Sequence, residues 1–478
     1  MSGGSAYWIA RFLFEKGVAL TYLIAFLAVL DQFPALLGEH GLLPVADFAR
    51  RVKFRQSPSL FLFAPNDGAF RTGGWAGVAL SSVALSGAAD ARFWTSAVVW
   101  AALWVLYLSF VNVGQTFYAF GWESILLETG FFAIFAGSRG TAPQMLTIWI
   151  WRWILFRVMF GAGLIKLRAD PCWRHLTCLD YHFETQPMPN PFSWRFHWLP
   201  PWAHKAGVLY NHFVELAVPF AYFAPQPAAA IAGLLTILFQ AILMLSGNLS
   251  WLNFVTIVLA IPTLHDGWLR HLWPGSIPAM HPAGTAEQVV IWVLAAAVAV
   301  MSVPPVLNML SRRQLMNFSY NPLHLVGSYG AFGGVTRERF EIVVEGTRAP
   351  SPFASEWKEY EFKGKPGSPI RRPPQVAPYH LRLDWLMWFA AMQPDRVPLW
   401  FTRFAHQLLE GDRGVTGLLK TNPFPGAPPR YVRALLYEYR FTTPAERHTT
   451  GRWWNRTLVG TYLRPTALRA GSLDEVRR

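Results

Sequence analysis

The chain has 478 residues, of which 53% are apolar and only 15% charged, and it carries 23 Trp and 36 Phe. This composition excludes intrinsic disorder, because so many apolar groups must be buried, and two cysteines are too few for a disulfide scaffold. The net charge of +14 gathers toward the C-terminus: residues 311–478 hold 25 Lys and Arg against 14 Asp and Glu, a basic surface suited to anionic headgroups and, without any binding motif, not expected to take nucleic acid.

A bilayer core of about 30 Å takes about 20 apolar residues in a helix. In chain order, Gly17–Leu37, Trp94–Val111, Trp122–Gly137, Met145–Leu167, Gly207–Ala224, Ala228–Ser246, Leu249–Leu264 and Val289–Leu310 meet that need. Gly73–Ala89, rich in Ser, Ala and Gly, is a weaker ninth. The first run is long, lacks a small-residue cleavage site and is followed by further spans, so it reads as a membrane helix rather than a signal peptide. After Leu310 the texture changes. Phe340–Glu345, Glu359–Lys363, Arg433–Phe441 and Leu458–Leu463 read as strands, and Trp385–Met392 and Leu399–Leu409 as helices, with Pro-rich connections between them. The expected fold is mainly α: a polytopic transmembrane helical bundle of eight or nine spans over 1–310, with an ordered extramembrane loop at 168–205. A C-terminal extramembrane α+β domain follows over 318–465, and then a frayed tail, 466–478.

Ionisable side chains cost about 2.5–3.5 kcal/mol each at the centre of a membrane helix, so they are rare and face partners. This chain places Glu123, Glu128, Arg152, Arg157, Lys166, His212 and Glu215 in its apolar stretches. One reading is an interhelical charge network, with Arg152 or Arg157 against Glu123, Glu128 or Glu215. The other is a polar cavity lined by Glu123, His212 and Glu215. Lys166 follows Gly161-Ala162-Gly163-Leu164, small residues that let helices approach closely. It is either a lysine snorkelling to the headgroups or a desolvated base.

Residues 168–205 are dense in chemistry: Cys172, Trp173, Cys178, Tyr181, His182, Glu184 and Gln186 precede Pro187-Met188-Pro189-Asn190-Pro191. The prolines exclude regular helix across the latter string. Cys172 and Cys178 suit a short disulfide loop in an oxidising compartment, with free thiols or a metal as alternatives; Cys-x5-Cys is not a common zinc spacing, and no metal site is expected. No hydrolase elbow, phosphate loop or dinucleotide fingerprint is present. Sequons occur at Asn248, Asn317 and Asn455.

Many of these strings resemble the lipase maturation factor family. The resemblance runs from about 7 to 465 and includes Leu37-Gly38-Glu39-His40-Gly41-Leu42-Leu43-Pro44, Gly121-Trp122-Glu123-Ser124 and Gly161-Ala162-Gly163-Leu164-Ile165-Lys166. It continues through His182-Phe183-Glu184-Thr185-Gln186-Pro187-Met188-Pro189-Asn190-Pro191, Asn211-His212-Phe213-Val214-Glu215 and Arg382-Leu383-Asp384-Trp385-Leu386-Met387-Trp388-Phe389. What it implies is a multi-pass protein of the endoplasmic reticulum membrane, or of the inner membrane in a bacterium. Such a protein assists the folding of secreted lipase-like clients as a chaperone and needs no cofactor. Trp173, Tyr181, His182, Glu184 and Gln186 would then form a client-facing loop surface. Gly161–Trp173 also resembles, over that stretch alone, the membrane domain of vitamin K-dependent carboxylases. That likeness implies a membrane enzyme with Lys166 as base and a quinone or lipid as its small molecule. A non-catalytic scaffold is the third reading.

The sidedness cues conflict. An oxidised Cys172–Cys178 pair puts the loop and, with nine spans, the C-terminal domain outside the cytosol. Arg50, Arg51, Lys53 and Arg55 then sit outside as well, against the positive-inside rule. The lumenal site of action implied by the resemblance favours the outside orientation.

Overall fold

A computed structural model describes residues 4–353 and 356–468. Helix α1 (Trp8–Leu37) has 30 residues, about 45 Å at 1.5 Å per residue. Its first-turn amides would lack partners, and Asp266 supplies them. The carboxylate accepts from Trp8 N at 2.7 Å, Ile9 N at 3.0 Å and Ala10 N at 3.3 Å, where the helix dipole favours a negative charge. Helix α2 (Asp67–Ser86) packs along α1. Gly74 and Gly77 occupy positions where any Cβ would strike Leu30 and Phe26 of α1, which is why this segment is rich in small residues.

Next come α3 (Phe93–Val113), α4 (Gly121–Ala133), α5 (Met145–Arg168) and α6 (Pro201–His212). The last runs straight on into a π turn, Phe213–Ala217, and a 3-10 stretch, Val218–Phe223. Helices α7 (Ala228–Ser246) and α8 (Leu252–Ala260) follow, and α9 (Thr285–Met301) is continued by Val303–Leu310.

Among the described residues, five helices are long and apolar enough to cross a membrane: α1, α3, α5, α7 and the combined Thr285–Leu310. A sixth counts if Leu252–Thr263 and Asp266–Leu272, bent by 110° to each other, form one span. The other expected spans depart for physical reasons. Helix α4 has only 13 residues and is almost wholly buried; a helix walled off by protein need not match the hydrocarbon thickness. The stretch from Gly207 to Ala224 changes helix type at Phe213 and again at Val218, a break tolerated at membrane depth where neighbouring helices shield the backbone.

The C-terminal part is built on a four-stranded antiparallel sheet of order β2-β1-β5-β6. Its strands are β1 (Arg339–Thr347), β2 (Lys358–Glu359), β5 (Tyr431–Phe441) and β6 (Trp454–Thr466). A small ladder pairs β3 (Glu361–Phe362) with β4 (Leu419–Thr421). Burial along β5 alternates over Val432, Ala434 and Leu436 and, past the register shift at Leu436/Tyr437, resumes on the other face with Tyr439 and Phe441. Helices α10 (Arg382–Ala391) and α11 (Leu399–Glu410) complete this part. Every expected strand and helix here has a counterpart, except that Glu359–Lys363 is split between β2 and β3. The tail begins later than expected, since Thr466 still belongs to β6; residues 469–478 lie outside the described residues.

The two parts share one core. Trp122 and Trp251 of the helical part and Trp385 of α10 are buried around His380. Asn248 joins three segments: its side chain donates to Pro189 O at 3.2 Å and Pro374 O at 2.9 Å and accepts from Val376 N and Ala377 N. This sequon residue is 1% exposed, so its amide serves as a structural joint and is closed to glycosylation.

Candidate functional site

Besides the pairs Arg11–Glu15 and Lys16–Asp90 near the start of α1, three buried sets hold most of the charges singled out in the apolar stretches. The first surrounds Lys166. Gly163 faces the π turn, and a Cβ there would meet Leu216 at 2.7 Å and Glu215 Cβ at 2.9 Å. That close approach brings Lys166 Nζ to Glu215 Oε1 at 2.6 Å and Asn211 Oδ1 at 2.9 Å. Asn211 Nδ2 closes the triangle on Glu215 Oε2 at 3.0 Å, and the Trp173 ring lies 5.0 Å from the ammonium. Lys166 therefore does not snorkel: at 5% exposure it turns inward, onto a carboxylate that repays its desolvation. The spacing of Asn211 and Glu215 signalled a shared face, but their partner was not legible. His212 lies outside the triangle, with Nε2 3.0 Å from Trp173 O and Nδ1 buried without a partner.

The second set joins Glu128 and Arg157. The guanidinium pairs with both carboxylate oxygens and donates to Gly327 O at 2.8 Å. Tyr329 OH and Gly327 N donate to the same carboxylate. The third set surrounds Glu123, whose partner comes from the C-terminal part. Arg382 Nη1 donates to Glu123 Oε1 at 2.7 Å and to Phe117 O at 2.8 Å, and its guanidinium stacks 3.4 Å from the Tyr118 ring. Tyr107 OH donates to the other oxygen, and His380 Nδ1 is 3.6 Å away. Burial, with Arg382 beside it, pushes His380 down to about 4, so the ring is neutral at pH 7. Glu123 thus lines no common cavity with Lys166. Arg152 corrects an expectation: it meets no carboxylate and donates instead to Pro262 O at 3.0 Å, Tyr222 O at 2.9 Å and Tyr7 OH at 3.0 Å. Those carbonyls come from short 3-10 stretches, where backbone acceptors are left free.

The loop 168–205 is ordered by three short helices, Pro171–Arg174, Leu179–Thr185 and Ser193–His197. Cys172 and Cys178 form a disulfide. Trp173, His182 and Gln186 are buried, so they support the loop from within and offer a client no surface; Tyr181 and Glu184 are half-buried. Gln186 turns inward because its amide donates to Ser246 O, Phe183 O and Ser193 Oγ. Burial, then Lys166, pushes His182 down to about 4. Arg339 of β1 holds the loop through the carbonyls of Glu184, Gln186 and Pro187 and pairs with Glu341. Glu184 Oε2 accepts from Phe441 N, and burial pushes its carboxyl up to about 7.

A cleft of about 340 Å³ opens away from Lys166, between the turn at Thr116–Phe120 and helices α10 and α11, lined by Phe120, Leu386, Phe389, Arg396 and Trp400. Among the described residues no group of three or more His, Cys, Asp or Glu is placed to hold a metal ion.

The profile of the lipase maturation factor transmembrane domain matches residues 9–271, and that of the lipase maturation factor C-terminal domain matches residues 325–464. The chain belongs to the lipase maturation factor family. Lipase maturation factor 1 of Bos taurus is 42% identical to it, over 96% of this chain and 89% of the relative. Lipase maturation factor 1 of Homo sapiens is 41% identical over 98% and 89%, and lipase maturation factor 2 of Homo sapiens 30% identical over 98% and 84%. No solved structure matches. The three charge sets are therefore features of a lipase maturation factor whose bundle and C-terminal part share buried side chains.

Proposed function

We propose that this chain is a membrane-embedded folding factor that helps secreted, lipase-like clients reach their active form. The observation that carries the reading is the likeness to lipase maturation factors over 96–98% of the chain. Its membrane is the endoplasmic reticulum in a eukaryote and the inner membrane in a bacterium. We take the chain to cross nine times, with the C-terminal part and the disulfide on the oxidising side. Three contacts support the odd number of crossings: Asp266 caps α1, Ala142 N meets His281 O, and Gln226 meets Tyr7, which gathers these connections at one end of the bundle.

A second reading, a membrane enzyme with Lys166 as base and a quinone or lipid as substrate, draws support from one observation. A buried lysine meets a glutamate on a π turn, a helix irregularity frequent at functional sites. Against it, the ammonium is already engaged by Glu215, Asn211 and Trp173.

The two readings part in a double variant. Lys166→Met with Glu215→Leu replaces the ion pair by apolar groups of similar size, an exchange that buried pairs tolerate. Membranes holding the full chain should capture a newly synthesised secreted lipase before it folds and release it afterwards, and the double variant should do the same. Capture lost in a well-folded double variant, or absent from the parent, contradicts the folding-factor reading.

A further inference from the structure

The loop 168–205 and the C-terminal sheet build a second site that the family match does not assign. Trp194 and Trp198 both donate through Nε1 to Thr442 O, at 2.7 Å and 3.1 Å. That pins the loop to the end of β5, next to the helix Pro444–Thr450. Trp194 and Trp453 meet edge to face at 6.2 Å. Arg447 lies over both rings, 3.4 Å from Trp453 and 4.6 Å from Trp194. Arg372 also lies over Trp453, at 5.5 Å, and Arg195 extends over Phe192 at 5.9 Å.

Two guanidiniums thus stack on the Trp194–Trp453 pair, and a third, Arg195, lies over the neighbouring Phe192 ring. Among the described residues none of the three has a carboxylate within 4.0 Å, and their one hydrogen bond runs from Arg372 to Pro191 O at 3.5 Å. The nearby acid, Glu446, is taken by Arg440. By contrast Arg339, Arg382, Arg433 and Arg456, which also lie over aromatic rings, are each paired with a carboxylate. Stacked guanidiniums keep their N–H edges free, and such edges fit phosphate oxygens in pairs.

The surroundings say which phosphate. Trp202 is 72% exposed at the first turn of α6, and Leu209 and Phe213, seven and eleven residues on, continue the same exposed face into the apolar stretch. That face meets lipid, and Trp202 at its outer end marks the headgroup level, where tryptophan concentrates. Trp198 and Leu199, also exposed, directly precede that turn in the chain. We infer that Arg372 and Arg447 on the Trp194–Trp453 pair, together with Arg195 on the adjoining Phe192, bind the headgroup of an anionic phospholipid and so fix the C-terminal part against the membrane surface.

The test uses the full chain in nanodiscs of phosphatidylcholine with or without phosphatidylglycerol, released and weighed by native mass spectrometry. Retained phosphatidylglycerol is expected on the parent. Each of Arg195→Gln, Arg372→Gln and Arg447→Gln should weaken retention about fivefold, with the melting temperature unchanged. Inorganic phosphate at millimolar concentration should not displace the lipid. The inference is overturned if the triple variant retains the lipid as the parent does. It is equally overturned if phosphate alone competes fully, or if the arginines prove to bind an acidic client segment and not lipid. Should the triple variant melt early, Arg→Lys replacements at the same three positions, which keep the charge and lose the paired geometry, must weaken retention while leaving melting intact.

Discussion

Arg382 shows what a single side chain does here. It enters the helical part from the C-terminal part and neutralises Glu123, and both are inaccessible to solvent. Arg382→Ala leaves a buried carboxylate without its counter-charge, with only the Tyr107 hydroxyl and the neutral His380 beside it, which costs about 3–5 kcal/mol. Thermal unfolding in detergent should show a large loss for this variant and a much smaller one for Arg382→Met with Glu123→Gln. Sequence reading sought partners for Glu123 only within the apolar stretches, so a partner 259 residues away escaped it. By contrast, Glu128 and Arg157 both lie in apolar runs, and their pairing was among those expected. Burial of titratable groups also makes stability depend on pH. Glu184 is raised from 4.5 to about 7 by burial, so the folded protein keeps a proton that the unfolded chain loses. Its contribution to stability is complete below about pH 4.5 and is lost as pH rises through about 7. His197, lowered from 6.5 to about 4 by burial, acts in the opposite sense: its contribution is present above pH 6.5 and lost as pH falls through about 4. Glu184→Gln should therefore lessen the decline in melting temperature between pH 5 and pH 8 while leaving the loss on the acid side, toward pH 4, in place.

Among the elements, α5 organises the bundle, and its glycines make that testable. A Cβ at Gly161 would strike the backbone carbonyl of Tyr329, whereas one at Gly163 would meet the side chains of Leu216 and Glu215. Side chains yield more readily than backbone. Both substitutions to Ala overpack, at about 1–3 kcal/mol, and Gly161→Ala should lie at the costlier end; equal melting temperatures for the two variants would count against this ranking. The approach of small residues was legible in Gly161-Ala162-Gly163. The π turn that receives it was not, because hydropathy in Gly207–Ala224 is continuous across Phe213 and reports nothing about hydrogen-bond register. Nor does composition show that the apolar side chains of α4 face protein and not lipid, since it does not tell one wall from the other. The strands of the C-terminal part were easier, since alternation as in β5 is a local signal.

At the scale of the molecule, the division into an apolar helical part and a mixed C-terminal part was plain from composition, while their union was not. Ion pairs, the Asn248 joint and the Arg339 clasp make one body of the two. A folding factor built so would move as a unit with its membrane, presenting the loop and the sheet at a fixed height above it. The account rests on this body acting on secreted lipases. The most direct measurement is the specific activity, per unit mass, of a lipase secreted by cells that lack their own lipase maturation factor, with and without this chain. The account predicts that equal or greater lipase mass is accompanied by a severalfold rise in specific activity when the chain is present, and that Arg382→Ala abolishes the rise. Unchanged specific activity, with the chain well folded in the same membrane as the nascent lipase, would contradict it.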